Sequence, residues 1–134
     1  MPKASILQFN NYEVEELSFK SVQVKNGQHE FELHPDFQQN VIACGEDEYD
    51  VHLSVEIAGT EERPLPFHLK VALVGHFVFC NEETNISSEM KEQVIRRNTI
   101  SILFPFLRSI VATLTTSANI PTLLLPIMNF SEDE

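Results

Sequence analysis

The stretch that decides the fold is Thr99–Phe130, TISILFPFLRSIVATLTTSANIPTLLLPIMNF. Its only formal charge is Arg108, although the chain carries nine basic and twenty acidic side chains. Segments this poor in charge are seldom left facing water. The first half has helical spacing, with apolar residues at 100, 103, 107, 110 and 114. The second half contains Pro121 and Pro126 and cannot continue a helix. The stretch therefore predicts a long apolar helix followed by an extended apolar strap.

Upstream, the apolar pattern changes to the alternation of β-strands. The clearest case is Tyr49–Ile57, where every second residue is apolar, and 65–79 repeats the pattern. Residues 6–24 also alternate, but their phase slips twice, which indicates one long strand with a bulge or two. Val41–Cys44 predicts a short strand, and Gly27–Asn40, before it, a crossover loop.

A short helix is expected from Ser88 to Arg97, with acidic residues in its first turn and basic ones in its last. The fold class predicted is α+β: a four-stranded antiparallel sheet with a short and a long helix packed on one side. At 134 residues we expect a single domain over 1–130. Residues 131–134 are expected to form an acidic disordered tail.

The long helix is apolar around most of its circumference, so one sheet face cannot cover it. We expect a second subunit to cover the other side, which predicts a homo-oligomer. The side chains expected at this interface are Phe104, Phe106, Leu107, Ile110, Val111 and Leu114.

Composition excludes several classes of function. A net charge of −11 disfavours binding to nucleic acid and to anionic membranes. Two cysteines make no disulfide framework, which favours the cytoplasm, and Cys44 and Cys80 are expected to be small core residues. No segment is apolar enough for membrane insertion. The five histidines have no metal-ligand spacing, and no nucleophile elbow or phosphate loop is present, so no metal, cofactor or enzymatic activity is predicted.

Apolar residues on irregular backbone suggest a groove for unfolded segments, with an ordinary core as an equal alternative. These residues are Phe31 and Phe37 in the crossover loop and Leu123, Leu125, Ile127 and Met128 in the strap.

The run Leu103–Arg108, LFPFLR, followed by Pro121, Leu123 and Leu125 and closing on Asn129–Phe130, resembles the signature of the SecB family of export chaperones. Upstream, Leu17–Phe19 and Pro66–Phe67 fit the same family. The resemblance implies an ATP-independent holdase of unfolded polypeptides, assembled as a dimer of dimers. It implies a client groove that draws on Val22, Val24, Phe31, Leu33 and Phe37, with Leu123 and Leu125 from the strap.

The family hands its clients to the motor SecA, which docks on an acidic sheet surface. Glu13 and Glu16 match that face, but Lys20 and Lys70 stand where carboxylates are expected. The chain also ends four residues after Phe130, where relatives continue into another helix. An alternative is therefore a dedicated SecB-like chaperone that protects an antitoxin of a toxin–antitoxin system. A further alternative is a non-chaperone adaptor that retains the fold.

Overall fold

The computed structural model describes residues 7–23, 33–79 and 88–118. Four antiparallel strands form one sheet in the order β1-β4-β3-β2. The strands are β1 (Leu7–Ser21), β2 (Asp36–Gly45), β3 (Glu48–Ile57) and β4 (Phe67–Phe79), and the helix α1 (Ser88–Ser117) packs on one face. The predicted α+β class and antiparallel sheet are confirmed.

The two slips of phase in the first strand are real β-bulges. The register of β1 against β4 shifts between Phe9 and Asn11 and again between Val14 and Glu16. Each inserted residue restores the apolar side chains to the helix-facing side, because side chains alternate between the two faces of a strand. One strand of 15 residues can therefore keep six apolar side chains on one face: Leu7, Phe9, Tyr12, Val14, Leu17 and Phe19.

Two predicted elements are wrong in their bounds. The short and long helices are one continuous helix, because neither Asn98 nor Thr99, at their junction, is a helix breaker such as proline. The second strand begins at Asp36 and not at Val41, so the polar segment before Val41 is strand. Its side chains alternate poorly because β2 is an edge strand and most of them face solvent.

The core lies between α1 and the central strands. Every second residue of β3 and β4 is buried there, and α1 contributes one stripe of buried residues. On the helix these are Ile95, Thr99, Ile100, Leu103, Phe104, Leu107, Val111 and Thr115. The two buried threonines satisfy their hydroxyls within the helix, where Thr99 donates to the Ile95 carbonyl at 2.5 Å and Thr115 to the Val111 carbonyl at 3.0 Å.

The helix is fixed to the sheet at its first turns by polar contacts. Lys91 Nζ lies 2.6 Å from Asp47 Oδ1, in the turn between β2 and β3. Further along, Gln39 Nε2 donates to the Arg96 carbonyl at 3.1 Å. These contacts hold α1 against β2 and β3.

Candidate functional site

Val22 is the predicted client-binding residue that the structure leaves most accessible. It directly follows β1, its amide donates to the Pro66 carbonyl at 2.8 Å, and its side chain is 42% exposed. It lines an open cleft of about 440 Å³ at the end of the sheet. The other lining residues are Ala58, Gly59, Thr60, Glu61, Pro64, Leu65 and His68.

Phe37 lies on β2, at the opposite edge of the sheet from Val22, and Leu33 lies just before that strand in the chain. Both are half-buried against the core, and the Phe37 ring lies 5.8 Å from the Phe104 ring of α1. Because three strand spacings separate the two edges, they are roughly 14 Å apart. The described structure therefore does not bring Val22 and Phe37 into one groove. The remaining predicted client residues, Val24, Phe31, Leu123, Leu125, Ile127 and Met128, lie outside the described residues.

The predicted subunit interface on α1 divides into two halves. Phe104, Leu107 and Val111 are at most 6% exposed within a single chain, because this stripe faces the chain's own sheet. The chain's own sheet already covers these three, and their place at a subunit interface stays a prediction. Phe106, Ile110 and Leu114 are only partly buried, and they remain candidates for a subunit contact.

These three residues lie on the side of α1 that faces β1. The Phe106 ring is 4.6 Å from the Tyr12 ring and 5.8 Å from the Phe9 ring, and 106, 110 and 114 are spaced i, i+4, i+8 on one side of the helix. Beyond Tyr12 the helix no longer covers β1, so Val14 and Leu17 are 46% and 53% exposed. An apolar strip therefore runs along the edge strand β1, which we call the β1 strip: Val14, Leu17, Phe19, Phe106, Ile110 and Leu114.

The sheet face opposite the helix, here called the outer face, is charged but internally paired. Lys70 Nζ lies 3.5 Å from Glu16 Oε1, which neutralises a carboxylate of the predicted motor-docking face. Glu13, Lys20 and Glu16 share this face through their register with β4, so the structure brings the four predicted docking residues together. Their role in docking stays a prediction.

The three strand histidines are also on the outer face, each beside a carboxylate. His52 Nδ1 lies 2.8 Å from Glu15, and His68 Nε2 lies 2.7 Å from Glu56. Their predicted placement on the polar side of the strands is correct. Lys70, paired with Glu16, and Lys20 make the face mixed in charge, where the resemblance leads us to expect an acidic one.

A cluster at the β2–β3 end of the outer face escaped prediction from sequence. His76 Nδ1 lies 2.7 Å from Asp50 Oδ1, and its Nε2 lies 3.4 Å from Glu48 Oε1. Cys44, predicted to be a core residue, is exposed here and hydrogen-bonds to Asp50. It is exposed because it lies on the edge strand β2, beside the bulge that precedes Gly45.

The carboxylates of this cluster raise the pKa of both His76 and Cys44. The hydrogen bond that His76 donates to Asp50 is the main cause of the raised pKa of His76, and partial desolvation acts against it. Partial desolvation together with the charges of Asp50 and Glu48 raises the pKa of the Cys44 thiol. The thiol is therefore protonated at neutral pH, unlike a nucleophilic cysteine, whose pKa is lowered.

One described helix is long and apolar enough to cross a membrane by length and composition, namely Glu89–Ser117. The same stretch packs its buried stripe on the chain's own sheet. A core helix meets the same criterion of length and composition, so α1 is weak support for a membrane span.

Comparison with known proteins gives a family match over nearly the whole chain. Residues 2–132 match the model of the family described as preprotein translocase subunit SecB. In structure, the chain resembles a SecB-like chaperone of Mycobacterium tuberculosis solved in complex with a peptide from the HigA1 antitoxin. The TM-score is 0.71 at 17% identity, and the match covers 91% of this chain and 90% of that one.

Relatives in sequence carry the same family name. The protein-export protein SecB of Anaplasma phagocytophilum is 32% identical over 83 residues, or 62% of this chain and 52% of that protein. The SecB of Paramagnetospirillum magneticum is 29% identical over 133 residues, which covers 94% of this chain and 81% of that protein. The first match thus spans about half the length of that relative. The match to the family model, supported by these relatives, shows that this chain belongs to the SecB family.

Proposed function

We propose that this chain is a cytoplasmic chaperone that holds unfolded or non-native polypeptides against apolar surface without ATP, with protein export as its pathway. Family membership supports the class of function. The observation that carries the proposal is Val22, an exposed apolar residue in an open cleft that also contains Ala58, Pro64 and Leu65. Such a cleft can accept the apolar side chains of an extended polypeptide.

The test is suppression of aggregation. A chemically unfolded client is diluted into buffer with increasing amounts of the purified full-length chain, with and without ATP. We expect light scattering to fall at near-stoichiometric ratios, with no effect of nucleotide. Aggregation that is unchanged at every ratio would contradict the proposal and would leave the non-chaperone adaptor as the better interpretation.

The cleft is tested by Val22→Asp, with Ile42→Asp as the matched control. Both residues are exposed, but Ile42 lies on β2, away from the Val22 cleft. A charge in the cleft removes apolar burial worth about 1.5 kcal/mol, so we expect client affinity to fall about tenfold in Val22→Asp. Equal affinities for the two variants, measured with a fluorescent client peptide, would place the client elsewhere.

The mixed charge of the outer face favours a second candidate, a chaperone for one dedicated client such as an antitoxin. A protein of similar fold binds an antitoxin peptide. In this chain Glu16 is paired with Lys70, which should weaken docking of a basic motor segment. The double variant Lys20→Glu/Lys70→Glu should bind the SecA tail several-fold more tightly at low salt.

The gain should disappear at high salt, because screening acts on exposed charges. An unchanged affinity at low salt would refute the idea that these two lysines disfavour SecA.

A further inference from the structure

The strongest unassigned feature of the molecule is the cluster of Cys44, Asp50 and His76. Each of the three side chains offers one ligand atom, and these atoms all lie within 4.8 Å of one another. They come from three adjacent strands, β2, β3 and β4, so the register of the sheet sets their relative positions. A fourth group, the Glu48 carboxylate, lies 3.4 Å from His76 Nε2.

We propose that this cluster is a binding site for a divalent transition-metal ion of the zinc type. A thiolate, an imidazole and carboxylates are the ligands that Zn²⁺ takes in proteins. A tetrahedral Zn²⁺ with bonds of about 2.0–2.3 Å places its ligand atoms roughly 3.3–3.8 Å apart. Side-chain rotations that move the ligand atoms by about 1 Å on this exposed surface bring the three atoms to that spacing.

The mixed chemistry of the cluster separates it from the other charged groups on the outer face. His52 and His68 each lie beside one carboxylate, and a lone imidazole–carboxylate pair provides two ligands at most. Among the described residues, the cluster with Cys44 is the one group of three or more side chains with metal-ligand spacing. A thiolate also selects softer ions over Mg²⁺ and Ca²⁺, which prefer oxygen.

The cluster is accessible to an ion, because Cys44 is exposed and a cleft adjoins the cluster on its β1 side. Asp50 and His76 line an open cleft of about 260 Å³ together with Asn11, Glu13 and Val74. In the metal-free state Asp50 accepts hydrogen bonds from both His76 and the Cys44 thiol. An ion would take the place of these shared protons, and the same carboxylate would then bind it directly.

Such an ion would join the edge strand β2 to β3 and β4. The site lies beside the β2–β3 turn, where Asp47 pairs with Lys91 of α1. Ligands that bind only the folded state stabilise it by mass action. We therefore expect Zn²⁺ to raise the melting temperature of the full-length chain and EDTA to reverse the increase.

Cobalt is the direct probe, because Co²⁺ bound to a thiolate gives a charge-transfer absorption band. The titration uses full-length Cys80→Ser, so that any thiolate signal comes from Cys44. We expect one Co²⁺ per chain, a charge-transfer band, and displacement of the band by Zn²⁺. Adding Cys44→Ser should abolish the band, and adding His76→Gln should weaken affinity at least tenfold.

His52→Gln in the same background is the matched control, since it removes an imidazole from the same face without touching the cluster. We expect its affinity for Co²⁺ to stay within twofold. Circular dichroism in EDTA checks that all variants fold. The proposal is overturned if Cys80→Ser gives no band, if Cys44→Ser keeps it, if His52→Gln weakens binding as much as His76→Gln, or if Zn²⁺ leaves the wild-type melting temperature unchanged.

Discussion

Gly75 is a point of close contact between helix and sheet. A Cβ at this position would lie 2.6 Å from Leu103 Cδ2 and 2.9 Å from the Phe77 ring. The apolar alternation of β4 is interrupted here for that reason, since any side chain would push α1 off the sheet. The sequence shows the interruption, but only the packing of Leu103 explains it.

Gly75→Ala should therefore destabilise the chain. Overpacking of a filled core typically costs about 1–3 kcal/mol, and we expect a loss of unfolding free energy in this range by denaturant titration. Gly45→Ala is the control, because its Cβ would meet only the exposed side chain of Glu48, at 3.1 Å from its carboxylate. Equal losses for the two variants would show that the contact with Leu103 does not set the cost.

Single residues also show where prediction from sequence stops. Cys44 and His76 are 32 positions apart and share no motif, so a search for metal-ligand spacing along the chain cannot pair them. They meet because β2 and β4 both pair with β3. The one signal in the sequence is that Asp50 and His76 occupy the polar phase of their strands. Their register, and the bulge beside Cys44, depend on the folded sheet.

At the scale of elements, the contact between the first turn of α1 and the β2–β3 turn holds the helix in place. Lys91 Nζ lies 2.6 Å from Asp47 Oδ1, and 5.0 Å from the centre of the Phe79 ring. Asp47 itself has a φ of 58°, which an aspartate tolerates better than most residues. The hydrogen bond that Lys91 donates to Asp47 is the main cause that raises the pKa of Lys91, so the lysine stays charged throughout the neutral range.

Lys91→Met should lower the free energy of unfolding by about 1 kcal/mol, since it removes a partly buried ion pair and a cation–π contact but keeps the aliphatic stem. Lys70→Met is the control, because the Lys70–Glu16 pair is longer and more exposed, and we expect a change near zero. Because the folded-state pKa of Lys91 is raised, its contribution is complete below pH about 10 and is lost only above that. Unequal losses for Lys91→Met at pH 6 and pH 8 would contradict this assignment.

The bounds of a strand can be predicted from the sequence where its apolar and polar residues alternate regularly. β3 and β4 alternate cleanly because one face is buried, and the slips in β1 correctly indicated bulges. The sequence does not predict that β2 begins at Asp36, because most side chains of this edge strand are exposed and its apolar and polar residues do not alternate. The predicted end of the short helix at Arg97 is wrong, because Ile95 and Thr99 are both buried and the buried stripe continues through the junction, while Arg96 and Asn98 are exposed.

For the whole molecule, the strand order leaves β1 at an edge with apolar side chains exposed along it. A free edge presents unpaired backbone groups, and natural sheets usually protect such strands. The described β1 instead carries the β1 strip, in which Val14 and Leu17 are about half exposed. We propose that a second copy of the chain covers this strip and that dimers pair further into the homotetramer that the family resemblance implies.

The proposed assembly predicts the mass of the protein in solution. Sedimentation equilibrium should give a mass that is a multiple of the 15.3 kDa chain at micromolar concentration. Leu17→Glu places an unpaired charge in the proposed contact, where its desolvation opposes burial, so we expect monomers. Ile42→Glu on the other edge strand is the matched control, since its side chain is similarly exposed but lies outside the strip, and it should keep the wild-type mass. A monomeric wild-type chain, or an assembly that Leu17→Glu leaves intact, would mean that β1 is not the interface and that its exposed apolar residues are available to clients instead.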